Sequence, residues 1–217
     1  MSHVTRCVAR LVSCLFAPSS LCSLAEFALC LVVVAFAPLQ VSAADTQEDQ
    51  QKMVQEYMKM MAPNENHAYF NDLVGKWDVT TTAWMAPGQE SVASQSSCEA
   101  SVILGGRFLM MKFAGTMFGQ PFEGLEIVGY DNLKKKYVTF WIDNQSTGFY
   151  LTEGTRDTLT RVETESGDWP DPMTGKSIKV RSVTKFVSKD EYVYELYMTP
   201  PGAKEFKSLE NKSTRKK

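Results

Sequence analysis

Leu73-Val-Gly-Lys-Trp-Asp-Val79, LVGKWDV, sets a Gly-x-Trp at the point where the sequence changes texture. Before it the chain is polar and helix-like. From Gly75 onward it alternates apolar and polar residues between short turn signals, and ten such runs are legible: 76–85, 91–103, 106–115, 121–130, 136–143, 147–154, 158–165, 177–187, 191–198 and 204–214. The breaks between them, such as APGQ, LGG, DNLKKK and TPPGAK, nearly all hold Gly, Pro, Asn or Asp, which supply the backbone angles that turns require. No helix-length periodic stretch separates the runs, so parallel crossovers have no helices to use. The expectation is therefore an all-β fold, a closed antiparallel meander barrel of about ten strands with one N-terminal helix. Closure removes both exposed sheet edges.

That helix precedes the first run. TQEDQQKMVQEYMKMMAP, Thr46 to Pro63, has Thr46 as a candidate cap, acidic residues in its first turn and a proline that ends it. Val54, Met58 and Met61 share one face, with Tyr57 beside them. The stripe suits a helix lying against the domain, or a methionine-rich lid over an apolar cavity.

Further upstream, Arg6 and Arg10 lead into FALCLVVVAFAPL (Phe27 to Leu39) and then VSA. Positive residues, a short apolar core and a small-residue site make a secretory signal over residues 1–43, cleaved after Ala43. The core is too short to span a bilayer, and a retained membrane anchor is the alternative. Residues 44–66 are then a helix and linker, and 67–217 a single barrel domain. The expected location is periplasmic or secreted. Cleavage removes four of the five cysteines and leaves Cys98, so an exported chain of 217 less 43 residues must cohere through its core without an internal disulfide. Loss of Arg6, Arg10 and Glu26 from 23 basic and 25 acidic residues leaves a net charge of −3 with both signs scattered. That pattern argues against a nucleic-acid surface or an anionic-membrane surface.

Charge sets the facing in SIKVRSVTKFV. Lys179, Arg181 and Lys185 share a wet face, so Ile178, Val180, Ser182, Thr184 and Phe186 point inward. With SKDE as a four-residue hairpin loop, Val187 pairs with Tyr192, which sends Val193, Glu195 and Tyr197 inward on the next strand. A slip of one residue reverses that assignment. In LEIVGYDNLKKKYVTFWID two faces compete. Leu125, Ile127, Val138, Phe140 and Ile142 make the better core by transfer energy. Glu126, Val128, Tyr130, Tyr137, Thr139 and Trp141 make an aromatic face suited to a pocket or a partner.

Downstream of the leader the chain has one histidine, His67, and one cysteine. A zinc site of the usual His/Cys kind lacks ligands, so no metal is expected. A Ser-His-Asp arrangement would depend on His67 alone, which reads as a surface or capping residue. No phosphate-cradling glycine loop is present: LGGRF falls between two strands, and Arg107 after it reads as a surface charge. PDPMTGK is hairpin punctuation with too few oxygen donors for calcium. Cys98 reads as a small buried apolar residue.

Gly-x-Trp at the start of the first strand resembles the calycin group of lipocalins, fatty-acid-binding and nitrobindin-like proteins. HAYFNDLVGKWDVTTTAWMAPG, ILGGRFL, GQPFEGLEIVGYDNLKKKYVTFWIDNQSTG and PDPMTGK together resemble a bacterial family, domain of unknown function 1579, over roughly Asn64 to Lys217. The resemblance implies that Trp77 plugs the closed end of the barrel with a cation from the last strand across it, Arg215 or alternatively Lys212. Such a contact contributes about 0.5–2 kcal/mol. Nitrobindin-like barrels ligate haem through a late-strand histidine. This chain has none from Ala68 onward, and only Tyr194 or Tyr197 could substitute chemically. No cofactor is expected.

The functional expectation is an exported, non-enzymatic barrel binding a small apolar or amphipathic ligand, with no nucleic-acid partner and no membrane span after cleavage. Glu195 and Tyr197 are the expected interior polar contacts, and Phe108, Phe122 and Trp141 the wall candidates. One alternative is a calycin-type isomerase or hydrolase using interior Glu and Tyr, which requires a raised Glu195 pKa. The other is an interaction module that forms a homodimer through the aromatic face around Trp141 and Tyr137.

Overall fold

A computed structural model describes residues 47–171 and 174–217. The expected signal segment and the cap Thr46 lie outside them. Helix α1 (Gln47–Met60) is followed by two four-residue helices, α2 (Glu65–Ala68) and α3 (Phe70–Leu73). Ten strands then run in order: β1 (Gly75–Ala83), β2 (Val92–Ile103), β3 (Phe108–Met117), β4 (Gln120–Asp131), β5 (Lys136–Asp143), β6 (Tyr150–Asp157), β7 (Val162–Pro170), β8 (Ser177–Phe186), β9 (Glu191–Thr199) and β10 (Phe206–Arg215). Each strand pairs antiparallel with the next, and β1 pairs with β10 from Trp77↔Arg215 to Ala83↔Leu209. The meander is closed, as its alternation requires.

All ten expected runs are strands, and the largest boundary error lies at β6 and β7. Alternation alone starts a strand at 158, where the chain is still turning. Asp157 Oδ1 accepts the amides of Leu159 and Thr160 at 2.8 and 3.1 Å, and Arg161 takes a positive φ of 56°. The β4–β5 turn repeats the device. Asp131 Oδ1 accepts from Leu133 and Lys134, and Lys135 has φ 55°. Asp-x-Leu-x-x is the shared signal, an aspartate that caps its own turn.

No residue of α1 is buried, and Met53, Val54, Tyr57 and Met58 are all exposed. A helix lying against the domain would bury that stripe, so that expectation is corrected. Among the described residues no helix is long and apolar enough to cross a membrane.

One end of the barrel is stoppered. Asn64 caps α2 through its side chain, and His67 Nδ1 accepts the Asn64 amide at 3.0 Å in return. His67 is thus a capping residue, but a buried one and not a surface one. The turn it fixes drives Tyr69, Phe70 and Leu73 into the core beside Trp77. Trp77 is 1% exposed and donates its indole N–H to Leu73 O at 2.8 Å. The Arg215 guanidinium lies 4.1 Å from the centre of the Trp77 ring. It also donates to the carbonyls of Val74, Asp72 and Lys189 and to the Asp190 carboxylate. Lys212, the alternative, is largely exposed and pairs with Glu210 at 3.4 Å.

Candidate ligand cavity

Strand alternation sends every second side chain into the barrel. On β3 these are Leu109, Met111, Phe113 and Met117, on β4 Phe122, Glu126 and Val128, and on β5 Thr139 and Trp141. They surround a cavity of about 510 Å³ that opens at the end away from Trp77, where Asp143, Tyr150, Trp169 and Met198 lie. The volume falls within the range of small-molecule sites, and most of the lining is apolar.

The competition between the faces of β4 and β5 is thereby decided. The aromatic face is inside, although the aliphatic face has the larger transfer energy. Gly124 explains how the indole fits: a Cβ there would lie 2.4 Å from the tip of the Trp141 ring. Trp141 stacks on Phe122 at 6.2 Å and meets the edge of Phe113 at 5.4 Å. Its N–H donates to Asp143 at 2.7 Å. The wall positions expected for Phe122 and Trp141 are where these residues lie. Phe108 is a correction. It sits on the outer surface, over the space left by Gly129, which it faces across β3 and β4. An aromatic dimer surface at Trp141 and Tyr137 is likewise ruled out by their inward facing.

Glu195 and Tyr197 are also corrected. The β8–β9 connection is one residue tighter than expected: Phe186 pairs with Tyr192, and the Val187 amide donates to Glu191 O at 3.0 Å. Ile178, Val180, Ser182, Thr184 and Phe186 turn inward or into the core as expected, but on β9 the inward set becomes Tyr192, Tyr194, Leu196 and Met198. Glu195 lies outside between Lys185 and Lys207, at 2.7 and 2.8 Å. Those two ammonium groups hold its carboxyl down to about 2, the reverse of the raised value that an interior acid requires. Tyr197 donates to Glu195 at 3.2 Å, and the Arg181 guanidinium covers its ring at 4.1 Å.

Among the described residues three other acids, all glutamates, lie deep in the cavity. Glu163 and Glu165 project inward from β7 and Glu126 from β4. Glu163 accepts from the Tyr69 hydroxyl at 2.7 Å. Glu165 accepts from Thr139 and Thr152 at 3.0 and 2.7 Å. Glu126 lines the cavity with no hydrogen-bond partner among the described residues. Burial, reinforced by the charge of Glu165, pushes its carboxyl up to about 7. Burial also raises Glu163 and Glu165, with the Glu165 charge adding to the effect on Glu163. Arg156 lies 4.0 Å from the centre of the Tyr69 ring and 5.0 Å from that of Phe186, and its charge opposes the shift of Glu163. Tyr194, from β9, is driven far above the usual phenol range by burial.

Glu126 lies on the aromatic face that suited a pocket, whereas sequence reasoning missed Glu163 and Glu165 for a physical reason. In VETESG neither face is apolar, so Glu163 and Glu165 read as a solvated edge as readily as a buried pair. Cys98 is buried as expected, and burial pushes its thiol above the ordinary range. No group of three described His, Cys, Asp or Glu residues could hold a metal ion.

Solved structures with this fold include Rv2717c from M. tuberculosis, 14% identical, with a TM-score of 0.53 over 72% of this chain and 100% of that one. Another is the S-type phycobiliprotein lyase CPES from Guillardia theta, 10% identical, with a TM-score of 0.53 over 74% and 98%. At such identities the likeness establishes the closed-barrel fold alone. No curated protein matches the sequence. The profile of one family covers residues 62–215, the plug, the Gly-x-Trp strand and all the cavity walls. The chain belongs to that family, described as Protein of unknown function (DUF1579).

Proposed function

We propose that the protein is exported and that its barrel binds a small apolar or amphipathic molecule in the cavity. The observation that carries the binding reading is the 510 Å³ space, sealed by Trp77 and the α2–α3 plug at one end and open at the other. A barrel that served only as a scaffold would gain stability by filling such a space with side chains, because unfilled volume forfeits dispersion contacts. Export rests on the leader in residues 1–43. Native mass spectrometry of protein purified from its own cells tests the binding reading. It should show a retained molecule of small mass. Repeated recovery of empty protein, together with failure to take up an apolar dye, counts against it.

Self-association is a second reading, now attached to the opposite face of the sheet. Met110, Ile127, Phe140 and Leu151 pair in a row across β3 to β6 on the outer surface, and Phe149 beside Phe140 is 72% exposed. An apolar row of this kind suits a second copy. Sedimentation at micromolar concentration tests it, and a strict monomer removes it.

A further inference from the structure

The cavity has a charge character that its apolar walls conceal. Five residues lining it carry carboxyl groups, Glu126, Asp143, Glu163, Glu165 and Asp171, and no Lys, Arg or His is among the described lining residues. Two of the deep acids are already engaged, Glu163 by Tyr69 and Glu165 by Thr139 and Thr152. Glu126 is not. It lines the enclosed space on the same wall as the aromatic cluster of Phe113, Phe122 and Trp141, paired with Trp141 across β4 and β5. A low-dielectric pocket lined by one sign of charge concentrates ligands of the other sign.

Resting on the binding reading above, we propose that the ligand is a cationic amphiphile, with a protonated nitrogen head at Glu126 and an apolar body along the Phe113–Phe122–Trp141 wall. An anionic head would meet carboxyl groups without any lining cation, and a neutral one would gain nothing from the ionisation of Glu126. An ammonium, guanidinium or protonated nitrogen heterocycle supplies both the charge and the N–H donors that a lone carboxylate accepts. Aromatic faces beside it add cation–π attraction.

Binding of this kind is linked to protons. The titratable groups around Glu126 are Glu163 and Glu165 from β7, Tyr192 and Tyr194 from β9 and Cys98 from β2, with Arg156 from β6 acting on Glu163. In the empty cavity burial keeps Glu126 largely protonated below about pH 7. A bound cation stabilises the carboxylate, so the proton leaves to solvent on binding. Affinity therefore rises with pH through this range, until the amine itself deprotonates.

The test uses three eight-carbon probes, octylamine, 1-octanol and octanoate, displacing the neutral dye N-phenyl-1-naphthylamine from the purified protein at pH 6 and pH 8. At pH 8 octylamine should displace the dye at a concentration at least tenfold below that of 1-octanol, with octanoate weakest. The advantage should shrink at pH 6. Glu126→Gln should bring the ratio of octylamine to 1-octanol displacement at pH 8 close to one. Should that variant fail to fold, calorimetry of the native protein at pH 6 in buffers of different ionisation enthalpy gives the same information: octylamine should release a proton and 1-octanol should not. Equal displacement by octanol and octylamine, or no proton release, overturns the cation preference and leaves the cavity reading standing. Absence of dye uptake overturns both.

Discussion

Trp77 and Arg215 bring the two ends of the described barrel into one contact. They are directly paired across β1 and β10, so the first and last strands cannot separate without exposing the indole and the carbonyls that the guanidinium binds. Arg215→Met keeps the stem but removes the fork of donors, which leaves the Val74 and Lys189 carbonyls without their partner. Urea unfolding should show a loss of about 2 kcal/mol with native circular dichroism retained. A loss below about 0.5 kcal/mol would mean the contact is ornamental. Trp77→Ala should cost more, about 3–5 kcal/mol, because a large ring leaves a cavity at a fully packed site. Both residues were legible through the calycin resemblance that Gly-x-Trp carries, which left Lys212 open as the alternative cation. The capping role of His67 was one of two readings left open, and its burial was not legible, because Asn64-x-x-His67 has the spacing of a capping box with an unusual partner in its last position.

The β4–β5 and β8–β9 hairpins decide what faces the cavity. At Gly124 an added methyl would meet the Trp141 ring at 2.4 Å, so Gly124→Ala should push the indole into the cavity. Dye uptake should fall several-fold and stability by about 1–3 kcal/mol, the usual cost of overpacking. Unchanged uptake would show that Trp141 does not shape the binding space. On β9 the contrast is with Glu195. Its lowered pKa means that its stabilising effect is present above the ordinary carboxyl range and lost only as the pH falls toward 2. Glu195→Gln should therefore lower stability at pH 7 by about 1 kcal/mol, since its lysine partners are partly solvated, and leave dye uptake untouched. A large loss of uptake would return Glu195 to the interior. The strands themselves were readable from alternation and turn residues. The register of β8 with β9 was not, because SKDE accommodates a three- or a four-residue loop, and one residue exchanges Tyr194 for Glu195 inside. The facing of β4 and β5 was hidden for a different reason. Burying Trp141 depends on a glycine one strand away, a pairing that periodicity along a single strand does not contain.

At the scale of the whole molecule, the buried acids set how stability varies with pH. The Glu126 carboxyl is raised from its ordinary value of 4.5 to about 7 by burial, so the unfolded chain gives up this proton at lower pH than the folded one. Between about pH 4.5 and 7 the folded state binds more protons, and stability falls as pH rises. Glu163 and Glu165 act in the same direction. Differential scanning calorimetry should show Tm lower at pH 8 than at pH 5.5 by roughly 5 °C, and Glu126→Gln should flatten the slope. A Tm that rises over that range would place these carboxyls in contact with solvent or with cations. The same hollow, acid-floored interior underlies the binding reading, and titration of the native protein with N-phenyl-1-naphthylamine tests it most directly. The account predicts saturable uptake of one dye per chain, with emission enhanced by the apolar wall and reversed by octylamine. No saturable signal at any pH between 6 and 8 would contradict it.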